Sequence, residues 1–276
     1  MKQVSFFEIT VTMILLFFIM IFCEVSLRLG SDFLFILFYF PLLVYLLFLL
    51  KKHHISLSFF LPEKKRGNRS KDLGLYTLVF LSFILFITGL HVVGFHFLAG
   101  LDNEQALLYF GEIVDTQPTT VWLFLGGMFL APLVEELLFR GILTNKLARN
   151  MNVKTALLIS VLVFSIAHLR LDPTLILWGF FFNIVYIKSQ SLLYPIVFHF
   201  MYNSISEGLR IFFRQPKSFR IVQGMRTLPD SYVWLIYLVT FGALIYLLVV
   251  LFIWVFKKKY ALSPRGRIVM AEQVSE

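Results

Sequence analysis

The chain is dominated by apolar stretches that are long enough to cross a lipid bilayer. A transmembrane helix needs roughly 20 mostly apolar residues, and windows of that kind recur along the 276 residues. Hydrophobic residues make up 59% of the chain and charged residues only 15%, whereas about half of a soluble domain is apolar. The apolar runs are continuous rather than alternating with polar residues, which argues against a β-barrel. The sequence therefore predicts an all-α, polytopic membrane protein.

The hydropathy pattern predicts about eight transmembrane helices within a single transmembrane domain, 1–276. Pro132 is expected either to kink the fourth span or to begin a second helical segment within it. The predicted spans are 9–27, 32–50, 73–98, 119–148, 154–169, 173–188, 191–213 and 232–256. The predicted regions are the N-terminal spans 1–118 with a basic connection 51–72, a motif-bearing region 119–206, and a C-terminal span with a basic tail, 207–276.

Basic residues lie mainly in the connections between the predicted spans. A net charge of +9 would suggest nucleic acid in a soluble chain, but here the cations set orientation and contact anionic lipid headgroups. We therefore predict no nucleic-acid partner and a multi-pass protein of the cell membrane. The positive-inside rule places the 51–72 connection and both termini in the cytoplasm. The connection 214–230 disagrees, because its basic residues would lie outside.

Ionisable groups within the predicted spans are the main candidates for function. Each costs at least about 2.5 kcal/mol at the centre of a bilayer, so their presence needs a reason. The single cysteine, Cys23, excludes an internal disulfide and a zinc site built from several thiolates. The polar residues are Glu135, Glu136 and Arg140 in the fourth span, His168 in the fifth, and His199 with Asn203 in the seventh.

Helix lengths indicate that these groups meet in a polar intramembrane cavity. The fourth and fifth helices both run from the short connection 149–153. At about 1.5 Å per residue, Glu135 and His168 each lie roughly 20 Å from it. His199 lies only about 12 Å from the near end of its own span, so it meets them only if the helices tilt.

Helical phase separates the two glutamates. Glu136 and Arg140 are four residues apart and should form an ion pair. Arg140 would then keep Glu136 ionised, which leaves Glu135 as the better candidate for acid–base chemistry.

The same spacing rule applies to the other two predicted helices. His199 and Asn203 are also four residues apart, so both side chains can project into one cavity. Phe164 shares a helix face with His168 and is expected to form a packing wall beside it.

A carboxylate, two imidazoles and a carboxamide suit the hydrolysis of an unactivated bond. The carboxylate can take a proton from water while one imidazole orients that water. The second imidazole and the amide can donate hydrogen bonds to the oxyanion. Glu135, His168 and His199 would also suit zinc. The short signature H-E-x-x-H is absent, so free and metal-bound water both stay open. The alternative is a transporter or immunity factor whose polar cluster binds without cleaving.

Three segments resemble the motifs of the CPBP family. They are "EELLFRG" from Glu135, "FSIAH" ending at His168 and "HFMYN" from His199, and the resemblance covers about residues 119–206. The family includes type II CAAX prenyl endopeptidases and bacterial relatives, often labelled Abi, that are linked to bacteriocin self-immunity.

The resemblance implies an eight-helix intramembrane endopeptidase that acts on a peptide or protein with a membrane-associated end. Both metalloprotease and metal-independent glutamate mechanisms are argued for the family, and the resemblance does not indicate whether the substrate is prenylated. The implied roles are water activation by Glu135 with His168, oxyanion stabilisation by His199 and Asn203, and support by Glu136 and Arg140.

Overall fold

The computed structural model describes residues 6–27, 31–56, 60, 69–98, 121–168, 173–213, 229–257, 259–262 and 268–270. Within these ranges the chain is almost entirely helical, which confirms the predicted all-α class. Each predicted span corresponds to a helix within a few residues. The helices are α1 (Phe6–Leu27), α2 (Ser31–Lys52), α3 (Arg69–Leu98), α4 (Val121–Ala148), α5 (Val153–Ala167), α6 (Pro173–Ser189), α7 (Leu193–Phe213) and α8 (Asp230–Phe252).

Four stretches of the described chain are long and apolar enough to cross a membrane, on α2, α3, α4 and α8. Their bounds are Phe33–Lys52, Leu73–Leu90, Val121–Ala148 and Ser231–Phe252. Shorter apolar helical stretches are Phe7–Ile19, Val153–Ala167 and Pro173–Ser189. Large apolar side chains such as Phe18, Leu81 and Leu238 are exposed, as expected of surfaces that face lipid. The chain is a multi-pass membrane protein.

The fourth helix alternates between α and π geometry. Its segments are Val121–Leu123 (α), Phe124–Leu130 (π), Ala131–Glu135 (α), Glu136–Thr144 (π) and Asn145–Ala148 (α). Pro132 lies at the start of the middle α segment, so the second expectation for this proline is correct: it begins a new segment.

Two side chains stabilise the second π segment by donating hydrogen bonds to its backbone carbonyls. The Thr144 hydroxyl donates a hydrogen bond to the carbonyl of Phe139 (2.7 Å). The Asn145 amide donates to the carbonyls of Arg140 (3.0 Å) and Gly141 (2.8 Å). Wide turns of this kind frequently occur at functional sites, and here the turn contains Glu136 and Arg140.

The chain divides into two compact units. The first comprises Met1–Gly67, Thr120–Phe200 and Ile253–Glu276, and the second comprises Asn68–Thr119 and Met201–Phe252. The predicted motif-bearing region 119–206 therefore crosses the boundary after Phe200. The prediction of a single domain stays a prediction. The connection 214–228 lies outside the described residues, and so do 57–59 and 61–68 of the connection 51–72.

The first unit is built around a core between α2, α4, α5 and α6. This core places the fourth helix against three neighbours, so its polar residues are shielded from lipid. Core residues include Leu42, Leu46 and Leu49 of α2, Val134 and Ile142 of α4, Leu157 and Phe164 of α5, and Tyr186 of α6.

The first unit also contains the C-terminal segment. A π turn, Ile253–Lys257, follows α8, and two short strands, β1 (Tyr260–Leu262) and β2 (Ile268–Met270), pair antiparallel with Ala261 opposite Val269. The Tyr260 hydroxyl donates to the Trp254 carbonyl, and burial raises the pKa of Tyr260. The sequence pattern of the basic tail gave no indication of these strands.

In the second unit, α3 packs closely against α8. Gly89 allows this approach, because a Cβ there would overlap the hydroxyl and Cβ of Thr240. Tyr76, Phe80 and Phe83 on α3 are buried.

Candidate active site

The two adjacent glutamates lie where α4 changes geometry. Glu135 ends the middle α segment and Glu136 begins the second π segment. Glu136 is fully buried, and Glu135 is only 7% exposed. Charged groups at this depth need partners, and the two carboxylates have different ones.

Glu136 binds two cationic or potentially cationic groups through one oxygen. Arg140 Nη1 donates to Glu136 Oε1 at 3.0 Å, which is the ion pair that their spacing predicts. His199 Nδ1 lies 2.9 Å from the same oxygen. Because an ionised carboxylate only accepts hydrogen bonds, Nδ1 of His199 must carry a proton. Glu136 thereby fixes both the tautomer and the orientation of the His199 ring.

Aromatic rings enclose the buried guanidinium. The Arg140 Cζ atom lies 4.3 Å from the ring centroid of Phe164, 5.2 Å from that of Phe182 and 5.9 Å from that of Phe139. The His199 ring stacks on Phe182 with centroids 4.8 Å apart and planes 19° apart. Ring faces attract cations where water is absent, so these contacts partly replace the hydration that Arg140 loses.

His168 is held by the last turn of α5. Its Nδ1 lies 2.8 Å from the carbonyl oxygen of Phe164, and the two rings are 4.6 Å apart. A carbonyl oxygen can only accept, so Nδ1 carries the proton, and in the neutral ring Nε2 presents a lone pair. The side chain is 30% exposed, which makes His168 more accessible than Glu135, Glu136, Arg140 and His199. Phe164 forms the packing wall that the sequence predicted.

Glu135 and the two imidazoles converge on one point. His168 Nε2 lies 3.7 Å from Glu135 Oε2, and His199 Nε2 lies 3.8 Å from the same oxygen. These separations are too long for direct hydrogen bonds. Oε2 is buried, and no described residue donates a hydrogen bond to it. His199 was expected to meet Glu135 only if the helices tilt, yet its distance equals that of His168 within 0.1 Å.

Tyr39 is a member of this cluster that the sequence did not reveal. Its hydroxyl donates a hydrogen bond to Glu135 Oε1 at 2.6 Å. Tyr39 lies on α2, 96 residues before Glu135, in an apolar segment with no motif. A tyrosine in an apolar helix commonly anchors at a membrane interface, so its sequence context carried no signal of this contact.

A hydrogen-bonded group behind the cluster ties three helices together. The Thr144 hydroxyl lies 2.6 Å from that of Ser160 on α5 and 2.9 Å from Asn183 Oδ1 on α6. The Asn145 amide also donates to the Tyr186 hydroxyl of α6 at 2.9 Å. Buried networks whose members are satisfied make the surrounding helices rigid, and this network fixes the part of α4 that follows Arg140.

Asn203, the remaining predicted site residue, lies one turn after His199 on α7. It belongs to the second compact unit, whereas the other predicted site residues belong to the first. Its predicted role as an oxyanion donor stays a prediction.

The predicted zinc site would use Glu135, His168 and His199 as its donors. Both imidazoles have Nδ1 hydrogen-bonded, as zinc-binding histidines commonly do. Within the described ranges, however, no group of three or more His, Cys, Asp and Glu side chains is arranged so that it could hold a metal ion. Zinc binding by Glu135, His168 and His199 stays a prediction.

Comparison with known protein families gives a match. Residues 117–205 match the family described as type II CAAX prenyl endopeptidase Rce1-like. The match covers about a third of the chain and includes the predicted site residues from Glu135 to Asn203, but not Tyr39. It confirms the resemblance to the CPBP family that the three motifs indicate. No curated protein and no solved structure matches the chain.

Proposed function

Residues 117–205 carry the CPBP family signature, and on that premise we propose that this chain is an intramembrane endopeptidase that activates water with Glu135 and histidine. One observation carries the proposal. A buried carboxylate oxygen that accepts no hydrogen bond from any described residue faces Nε2 of two imidazoles at 3.7 and 3.8 Å. Such an arrangement is suited to a water molecule that hydrogen-bonds to several of these atoms at once.

The proton positions favour this use of the cluster. Water has two O–H groups, and Glu135 Oε2 and the lone pair of His168 Nε2 are two acceptors for them. Glu135 takes one proton as the water oxygen bonds to the carbonyl carbon of the scissile peptide. When the tetrahedral intermediate collapses, the C–N bond breaks and the same proton passes from Glu135 to the leaving amine. Glu135 is then ionised again.

His199 is proposed to stabilise the oxyanion. Its Nδ1–H is already directed to Glu136, and a second proton on Nε2 would make that atom a donor to the developing negative charge. In that state Glu135 and Glu136 carry two negative charges, while Arg140 and His199 carry two positive charges. The cluster is then neutral overall, which limits the cost of burying it.

The substrate is proposed to be a peptide or protein segment held at the membrane. The family description names CAAX prenyl endopeptidases, which supports a substrate whose end is anchored by a lipid. Processing of an unmodified peptide, as in bacteriocin self-immunity, uses the same chemistry. We further propose that all eight helices cross the bilayer, that the chain contains a polar intramembrane cavity, and that both termini lie in the cytoplasm.

The physiological substrate can be sought by comparing protein termini in membranes. Cells that produce the wild-type chain are expected to contain new C- or N-terminal peptides of membrane proteins, and cells that produce Glu135→Gln at equal levels are expected to lack them. The same substitution at Glu8, on α1 and outside the cluster, is the matched control. Identical sets of termini for wild type and Glu135→Gln would contradict proteolysis.

Metal dependence needs a separate measurement. Because the proposed mechanism activates water with Glu135 and His168, we expect purified protein to retain its cleavage activity after chelation and to contain much less than one zinc per chain by elemental analysis. A protein reconstituted with zinc after chelation is the control. Stoichiometric zinc, with activity lost on chelation and restored on reconstitution, would instead support a site formed by Glu135, His168 and His199.

A further inference from the structure

We propose that Tyr39 is a positioning residue that orients the carboxylate of Glu135. The inference rests on the proposed function for its catalytic meaning, but Tyr39 itself lies outside the region that matches the family. The Tyr39 hydroxyl is 2.6 Å from Glu135 Oε1, the distance typical of a charge-assisted O–H···O⁻ hydrogen bond. Such a bond is about twice as strong as one between neutral groups.

The two oxygens of a carboxylate move together. When Tyr39 holds Oε1, the position of Oε2 is fixed as well, and Oε2 is the oxygen that faces His168 and His199. Without the tyrosine hydroxyl, the carboxylate could rotate about its terminal bond, and Oε2 would no longer be confined to that position. Terminal torsions of glutamate side chains have broad, shallow minima, so a donor on one oxygen is an effective constraint.

Tyr39 is itself held in place by aromatic neighbours on its own helix. The Phe38 ring contacts it edge-on, with centroids 5.2 Å apart and planes 88° apart. The Phe35 ring, one turn earlier, lies parallel to it at 6.3 Å. Because the Tyr39 ring is held in this way, the distance from its hydroxyl to Glu135 is set mainly by the distance between α2 and α4.

Gly126 sets that distance. A Cβ at Gly126 would lie 2.6 Å from Phe35 Cβ and 3.1 Å from the backbone nitrogen of Ile36. Contacts this short require backbone movement, so only glycine permits α2 to lie this close to α4. Gly127, the next residue, is different: a Cβ there would meet only the end of the Leu123 side chain on the same helix, at 3.1 Å.

The test compares Tyr39→Phe with Tyr45→Phe, a tyrosine on the same helix that packs against the core. Infrared difference spectra, recorded with and without Glu135→Gln in the same background, isolate the carboxylate band of Glu135. Tyr39→Phe is expected to shift this band relative to wild type, and Tyr45→Phe is expected to leave it unchanged. An unshifted band in Tyr39→Phe would overturn the inference whether or not the protein is a protease.

Cleavage kinetics supply the second measurement, with a quenched fluorescent peptide that ends in an S-farnesylated Cys-aliphatic-aliphatic-X sequence. Tyr39→Phe is expected to lower kcat by about 10- to 100-fold and to leave KM within about twofold, because the tyrosine acts through Glu135. A kcat equal to that of Tyr45→Phe would overturn the positioning role.

Gly126→Ala provides an independent variant that leaves Tyr39 intact. It is expected to lower kcat and shift the Glu135 band, whereas Gly127→Ala should do neither; equal behaviour of the two variants would contradict the role assigned to the α2–α4 distance.

A wild type that cleaves no faster than Glu135→Gln overturns the proposed function, while the infrared band still reports on the Tyr39–Glu135 contact. The two failures are therefore distinguishable.

Discussion

Glu135→Gln is expected to lower kcat by about 10²- to 10⁴-fold, which is the usual contribution of a general base. Glutamine keeps the shape of the side chain, and its carbonyl oxygen can still accept the Tyr39 hydrogen bond. It cannot take a proton from water, however, so binding should persist while hydrolysis is lost. The measurement is the cleavage rate of the farnesylated peptide by purified protein in detergent, with thermal unfolding as a check on folding.

Two comparisons make this result specific. Glu8→Gln should cleave at the wild-type rate, since Glu8 lies on α1 and has no part in the cluster. His168→Ala should lower kcat in the same direction, because its Nε2 lies beside Glu135 Oε2. If Glu135→Gln retained wild-type turnover, the hydrolytic proposal would be wrong, and a binding role for the polar cluster would be favoured instead.

The second large effect concerns stability rather than chemistry. Glu136 and Arg140 are both fully buried and lie 3.0 Å apart. Arg140→Met alone should lower the free energy of unfolding by about 3–5 kcal/mol, because Glu136 would keep a buried charge without its main partner. The double variant, Glu136→Gln with Arg140→Met, removes both charges and is expected to recover much of this loss.

Chemical or thermal unfolding in detergent measures the difference, with Lys51→Met, an exposed residue, as the control for loss of a positive charge. The prediction fails if the double variant is no more stable than Arg140→Met alone. Recovered stability should not restore turnover, because Glu136→Gln removes the carboxylate that orients the His199 ring through Nδ1.

The helices were predictable from sequence because lipid leaves few alternatives. Backbone N–H and C=O groups in a bilayer must form their hydrogen bonds within the segment, so apolar runs of sufficient length become helices. The predicted bounds differ from those of the structure by only a few residues. The spacing of Glu136 and Arg140 likewise predicts their ion pair, because helix geometry alone determines it.

Other features depended on tertiary packing and had no local signal. The second π segment of α4 depends on hydrogen bonds from the Thr144 and Asn145 side chains to backbone carbonyls, and these two residues have many uses in membrane helices. Tyr39 reaches Glu135 from a helix that carries no motif, because Gly126 allows two helices to approach. His168 and His199 lie at nearly equal distances from Glu135 because of how α4, α5 and α7 are placed relative to one another. The position of a residue along its own helix does not determine that placement.

A single oxygen atom, Oε1 of Glu136, accepts from Arg140 on its own helix and from His199 on α7. The first and third motifs are consequently coupled through this oxygen, because a change at Glu136 removes a hydrogen bond from both Arg140 and His199. Hybrid proteins that join α4 of one relative to α7 of another should therefore be active only if the carboxylate at position 136 still accepts a hydrogen bond from the imidazole at position 199.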